Sequence, residues 1–276
     1  MSHLGRSTAL VVLGAVTFAG CSSGDQQAAP DSSPSPSVSA SSAPPPPPTP
    51  EVGQCHALSV REATDPVDPT PPVQCRRPHT SVTVKVGRLQ LLVDGHQLAV
   101  DSRTARKQIA DACPANPGGF VGGNQTAQRL SRFEVVWFSP SLEQADAGAS
   151  WYRCDVVALQ SEGKLLPLAP RVKGVLDQPG ALDRYGTCGT TAPHRRRFAR
   201  VACSEKHAWR AVDVVDLPAD TAYLAPAAAD RGDSACEDVA AERANGSLKY
   251  TWSFEWPTRA QWRTGQRYGY CWVPAG

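Results

Sequence analysis

Apolar positions along this chain follow three different patterns. Ala9 to Phe18 form one unbroken apolar run, long enough for the core of a signal peptide and too short to span a bilayer as a helix. Residues 22–52 carry almost no large apolar side chain. Ser32, Ser33, Ser35, Ser37, Ser39, Ser41 and Ser42 alternate with Pro34, Pro36, Val38 and Ala40, and Pro44 to Pro48 follow. Such a segment buries too little surface to offset chain entropy and is expected to stay unfolded, with the proline block as semi-rigid polyproline II. From residue 53 onward the apolar residues return with strand and helix periods. Val82, Val84 and Val86 alternate, as do Val212 and Val214 with Trp209 nearby, the signature of half-buried strands. Strands are expected over Phe133–Phe138, Trp151–Leu159, Tyr250–Trp256 and Tyr268–Val273. Between them, Ser102 to Cys113 places Ala105, Ile109 and Ala112 on one helical face, with Asp101 or Ser102 as N-cap and Pro114 as terminator. A second helix is expected from about Pro226 to Glu242, interrupted by Gly232. Residues 161–182, rich in proline and glycine, read as a connector, with an extra strand near Val172–Leu176.

These elements occur twice. The 276 residues include 9 cysteines, and eight of them fall into two sets of four. The first set is Cys55, Cys75, Cys113 and Cys154; the second is Cys188, Cys203, Cys236 and Cys271. Gly-x-Cys opens each set, and Val-x-Cys-x-x-x-His follows, ending at His79 and His207. Pro140 and Pro257 each lie 14 residues before the last cysteine, and Gly148 and Gly265 each lie six before it. Matching at this many points indicates a duplicated module of about 100 residues. The expected fold is α+β: two tandem disulfide-stapled modules, each a small, mainly antiparallel sheet with one helix, after a disordered N-terminal tether. The boundaries are 1–20 for the signal, 21–52 for the tether, 53–160 and 183–276 for the modules, and 161–182 for the connector. Four cysteines allow three connectivities, and spacing does not choose among them. Cys55–Cys75 with Cys113–Cys154, and Cys188–Cys203 with Cys236–Cys271, join the cysteines ahead of the first strand and pin the helix to the last strand.

The ninth cysteine, Cys21, follows Phe18-Ala19-Gly20 directly after the apolar run. Small residues before a cysteine at this place resemble a bacterial lipobox, in which the cysteine becomes the acylated first residue, carrying palmitate-type chains. That resemblance implies a lipoprotein on the extracytoplasmic face of the cell membrane, in an oxidising compartment where disulfides are the default. No other segment approaches a membrane span. A formal net charge of +2 argues against nucleic acid as a partner, since phosphate binding needs a clear basic excess.

The order Gly-x-Cys, Val-x-Cys-x-x-x-His, a helix bearing a cysteine, then proline, glycine and an aromatic residue before the last cysteine resembles the septum-formation domain of actinobacterial envelope proteins, over about 53–160 and 183–276. Copy one keeps a proline before the histidine (Arg77-Pro78-His79), whereas copy two has Lys206 there. The resemblance implies a link to division septa and supplies no catalytic residue.

Few residues carry recognisable chemistry. His79 and His207 are candidate ligand contacts, with structural hydrogen bonding as the plain alternative; a metal reading would pair them with Cys75 and Cys203. Arg195, Arg196 and Arg197 form the densest basic run, a candidate for anionic headgroups or wall polymers. Trp256 and Trp262 are candidates for an exposed aromatic surface facing a saccharide or protein. Ser161-x-x-Lys164 lacks the partner motifs of penicillin-binding enzymes, and Pro117 to Gly123 reads as a flexible loop. The expectation is a non-catalytic envelope lipoprotein that binds or scaffolds, without cofactor or metal, with the membrane and an envelope or division protein or wall polymer as partners. The alternatives are a wall-active enzyme and a small-ligand or metal carrier using His79 and His207.

Overall fold

The computed structural model describes residues 47–276 except 219 and 221. The signal segment, Cys21 and nearly all of the proposed tether lie outside the described residues. No described helix is long and apolar enough to cross a membrane.

The first half folds around strands β1 (Cys55–His56), β2 (Ser81–Arg88), β5 (Phe133–Phe138) and β6 (Trp151–Ser161). A small hairpin of β3 (Leu92–Val93) and β4 (His96–Gln97) lies apart, and β7 (Lys164–Leu165) adds to β6. The second half contributes β8 (Thr187–Gly189), β9 (Arg200–Ala202), β10 (Trp209–Asp216), β11 (Ser253–Glu255) and β12 (Tyr268–Pro274). Helices α1 (Val60–Thr64), α2 (Arg103–Ala112), α3 (Gly118–Val121), α4 (Gln125–Leu130) and α5 (Leu142–Asp146) belong to the first half. Helices α6 (Ala181–Tyr185), α7 (Pro226–Arg243) and α8 (Arg259–Arg263) belong to the second.

The two sheets repeat one antiparallel plan. The first runs β1-β2-β6-β5 and the second β9-β8-β10-β12-β11, so β8, β10, β12 and β11 take the places of β1, β2, β6 and β5. Even an irregularity recurs: the β2–β6 register shifts between Thr83 and Lys85, and the β10–β12 register between Ala211 and Asp213. Both shifts stand at the same distance from His79 and His207. The bridges are Cys55–Cys75, Cys113–Cys154, Cys188–Cys203 and Cys236–Cys271, which is the pairing expected of a helix pinned to its sheet. Each such link typically contributes about 2–4 kcal/mol, largely by restricting the unfolded chain.

Helix α2 starts at Ser102, whose side chain accepts from the Ala105 N–H, and it buries Ala105 and Ile109 against the sheet. Helix α7 begins with Pro226 at its first turn and buries Ala228, Gly232, Cys236 and Ala240, a four-residue repeat that keeps one row of small residues on the sheet. Gly232 therefore does not break the helix. A Cβ there would lie 2.3 Å from Phe254, and a Cβ at Gly269 would lie 2.3 Å from the other edge of the same ring.

Four expectations differ from the structure. Residues 161–182 are more than a connector: Leu165, Leu166, Leu168, Val172 and Leu176 are buried. Most of them join Phe133 and Val156 of the first sheet with Tyr185 of α6 and Ala202 of the second sheet in one core. Val172–Leu176 is not a strand, because Gly174 takes a left-handed φ of 69° and Val175–Asp177 coil into a 3₁₀ turn. The strand expected from Tyr250 begins only at Ser253. The glycine-rich loop is packed as well: Val121 is fully buried, and Gly123 N–H donates to Asp177 Oδ1 at 2.7 Å.

Candidate functional site

The sequence-derived candidates do not converge on one site. His79 is buried, and its Nδ1 lies 2.9 Å from the Arg77 carbonyl; His207 repeats the contact at 2.6 Å from the Glu205 carbonyl. A carbonyl only accepts, so each Nδ1 carries the proton and each imidazole closes its own turn. Among the described residues no group of three or more His, Cys, Asp or Glu could hold a metal. Trp256 is a core residue packed with Leu217 and Ala228. Trp262 stacks on Trp256 at 5.8 Å, and Arg267 lies 4.0 Å from the Trp262 ring centroid. Trp256 is buried and Trp262 half-buried, so the pair does not present two open rings and only Trp262 reaches the surface. Arg195, Arg196 and Arg197 are exposed, on a β8–β9 loop held by Thr190 Oγ1, which donates to the Arg197 carbonyl at 3.1 Å.

A cleft of about 650 Å³ opens between the two sheets. One wall comes from the loop at Asn116, from α4 and from the start of β5; the other comes from β8, β9, the segment after α8, and β12. Short-range chemistry sets the walls. Asn124 caps α4 by accepting from the Ala127 N–H at 2.8 Å, which turns Gln125, Gln128 and Arg129 toward the opening. Thr258 and Gln261 form a reciprocal capping box on α8. The Arg132 N–H donates to the Tyr185 carbonyl at 2.7 Å, tying the edge of the first sheet to the second half.

Three arginines and a glutamate dominate the cleft. Arg129 Nη1 pairs with Asp216 Oδ1 at 2.5 Å, and its guanidinium lies 4.4 Å from the Tyr268 ring centroid. The Tyr270 hydroxyl donates to the Arg129 carbonyl at 3.1 Å, and burial pushes its pKa well above the ordinary phenol range. Arg200 Nη2 pairs with Glu255 Oε1 at 2.9 Å, while Trp272 Nε1 donates to Glu255 Oε2 at 3.0 Å. The Arg200 Nε is buried and has no hydrogen-bond partner. Arg132 spends only its Nε, donating to the Leu159 carbonyl at 3.1 Å. Among the described residues it has no acidic partner within 4.0 Å, and neither does Glu134 a basic one. Burial and the neighbouring Arg200 charge lower the pKa of Arg132. Glu134 is exposed as a residue, but desolvation by the cleft wall raises its carboxyl pKa, with the Arg132 charge opposing the shift.

A second charged group is fully enclosed in the first sheet. Arg153 pairs through Nη2 with Asp68 and lies 3.3 Å through Nε from Asp155 Oδ2; His56 Nδ1 sits 3.6 Å from Asp68 Oδ2. All four side chains are at most 4% exposed. Desolvation, then the Arg153 charge, lowers the His56 pKa, whereas desolvation raises that of Asp155. In the second sheet the residues flanking the corresponding cysteine are Tyr270 and Trp272, so an aromatic pair stands where the first sheet buries ions. The enclosed group has no opening for a ligand, and it serves packing.

Sequence reasoning missed the cleft because seven short segments build it and none carries a motif. The one available signal was that Arg132 and Glu134 occupy the outward positions of the alternating Phe133-Val135-Trp137 strand. A family model described as septum formation matches residues 124–271. The match begins at the cap of α4 and ends at Cys271, so it runs through both sheets as one stretch and takes in every cleft residue except those at 115–117. No curated protein and no solved structure matches the chain.

Proposed function

Because this chain belongs to the septum-formation family, we propose that it serves cell division as a non-catalytic envelope lipoprotein, binding or scaffolding a partner through the cleft between its sheets. The observation that carries this reading is the coincidence of the matched segment with both walls of the cleft, from Gln125 to Tyr270. We read the two sheets as two copies of one module, a reading supported by the shared strand order, the shared register shift and the repeated histidine-to-carbonyl contact. A structural use of His79 is supported by its burial and by the Nδ1 contact that closes its own turn, a contact His207 repeats. The lipobox-like sequence ending at Cys21 supports an anchor on the extracytoplasmic face of the membrane, with residues 22–52 as the tether and a division protein or wall polymer as partner.

Imaging of a full-length fluorescent fusion in dividing cells tests the role. Enrichment at septa is the expected result, and a uniform envelope distribution contradicts it. Cys21→Ala tests the anchor: the protein leaves the membrane fraction while retaining its fold, and unchanged membrane association refutes lipidation at that position.

A further inference from the structure

The cleft holds two charged side chains that are left without ionic partners. Arg132 and Glu134 are two residues apart on one extended strand edge, which separates their backbones by roughly 6–7 Å, and no ion pair joins them. Arg132 keeps its terminal nitrogens for the opening, because only its Nε is bonded inward. Arg200 lines the same cleft, but its Nη2 is already paired with Glu255, so Arg132 is the guanidinium left open to an anion. Glu134 lies beside it with an uncompensated acid. Around these charges the walls are polar: Gln125 makes no side-chain hydrogen bond among the described residues, and Ser131 and Gln266 add further polar atoms.

The occupant follows from this arrangement. A bare inorganic anion would sit against Glu134 as a like charge. A neutral sugar would leave both charges unpaired. A polyanion would meet the same acid, and an apolar ligand would leave a mostly polar wall unpaired. A small molecule carrying both an anion and a cation, separated enough to reach two head groups that do not pair with each other, satisfies both groups at once. A dipeptide sets its own ammonium and carboxylate roughly 6 Å apart when extended. The cleft volume of about 650 Å³ lies within the range of small-ligand sites.

We infer that this cleft binds a small peptide-type zwitterion, with the ligand carboxylate on Arg132 beside Arg200 and its ammonium on Glu134. The inference rests on the reading of the cleft as the binding site of a septal protein. Charge-assisted hydrogen bonds at both ends supply the affinity, and their spacing supplies the selectivity.

Calorimetric titration of the full-length protein in detergent with glycylglycine, N-acetylglycylglycine and glycylglycinamide tests it. Glycylglycine binds, and blocking either end weakens binding by about tenfold or more, one charge-assisted contact being worth at least that factor. Arg132→Gln weakens glycylglycine and removes the preference for a free carboxylate. Glu134→Gln weakens glycylglycine but strengthens the N-acetyl form, because the acid that repels an anion is gone; a merely structural residue does not produce that reversal. Glu134 is exposed, so this variant keeps the test alive if Arg132→Gln fails to fold. Absence of glycylglycine binding at millimolar concentration, equal affinity for all three probes, or a Glu134→Gln variant that treats them as wild type does overturns the proposal. A protein that is septal in cells yet binds none of the probes overturns the ligand and leaves the septal role. One that binds glycylglycine but spreads evenly over the envelope overturns the role and leaves the ligand.

Discussion

Asp68→Asn should be among the most damaging conservative substitutions in the folded part. Asp68 is fully enclosed, pairs with Arg153 and faces His56. The amide keeps the shape and removes the charge, leaving a guanidinium that is 4% exposed with Asp155 as its sole carboxylate neighbour. Breaking a buried pair by removing one partner costs about 3–5 kcal/mol. Asp155 remains 3.3 Å from the Arg153 Nε and can ionise to compensate, which places the loss near about 3 kcal/mol, the lower end of that range. In urea, followed by tryptophan fluorescence with disulfides intact, a slope of about 2 kcal/mol per molar moves the midpoint down by roughly 1.5 M. Two comparisons sharpen the test. Asp111→Asn breaks the Lys107–Asp111 pair, whose side chains are 74% and 63% exposed, and should cost about 0.5 kcal/mol or less. Asp155→Asn should cost less than Asp68→Asn, because burial already favours the uncharged form of Asp155 and asparagine resembles it. A loss below about 1 kcal/mol for Asp68→Asn, within the range of exposed pairs, or equal losses at 68 and 155, would refute this assignment of charges.

Two further outcomes follow from the same packing. His56 is held neutral beside Arg153, Asp68 and Asp155; below its ordinary value of 6.5 the unfolded chain takes up a proton that the folded one refuses. His56 therefore draws stability down as pH falls through that value, with a slope of up to about 1.4 kcal/mol per pH unit. The raised pKa of Asp155 acts with the opposite sign, so the measurement is the difference in urea stability between wild type and His56→Gln from pH 8 to pH 5, and parallel profiles would contradict the claim. Gly232→Ala should lower the melting temperature even though alanine favours a helix by about 1 kcal/mol, because the Phe254 ring is gripped between Gly232 and Gly269 and overpacking costs about 1–3 kcal/mol. A higher melting temperature would show that the ring is free to move.

The sequence carried most of the scaffold and little of the site. Strand alternation located β5, Trp151–Leu159 located most of β6, and the Ser102 cap with the Ala105–Ile109 face located α2, since each of these signals is local. Cysteine spacing carried the repeat because cross-links fix topology at long range. Two helix-level readings failed for tertiary reasons: Gly232 looked like an interruption because nothing in the sequence shows the Phe254 ring pressed against it, and Trp256 looked like a surface residue because its neighbours come from Leu217 and Ala228. Buried ions escaped notice because Arg153 and Asp155 lie in an eleven-residue strand covered on both faces, where alternation no longer separates inside from outside. The cleft was invisible for a related reason: Arg132 and Arg200 are 68 positions apart in the chain, and they meet only because the residues of 161–182 pack into a core shared by both sheets.

The proposed septal role places the protein's binding work in this cleft. The most direct measurement is the septum-to-side-wall fluorescence ratio of the full-length fusion carrying Arg132→Gln together with Glu134→Gln, beside wild type, with urea stability confirming that both are folded. The ratio should fall to the side-wall level in the variant while wild type stays enriched. A folded variant that remains at the septum as strongly as wild type would contradict the claim.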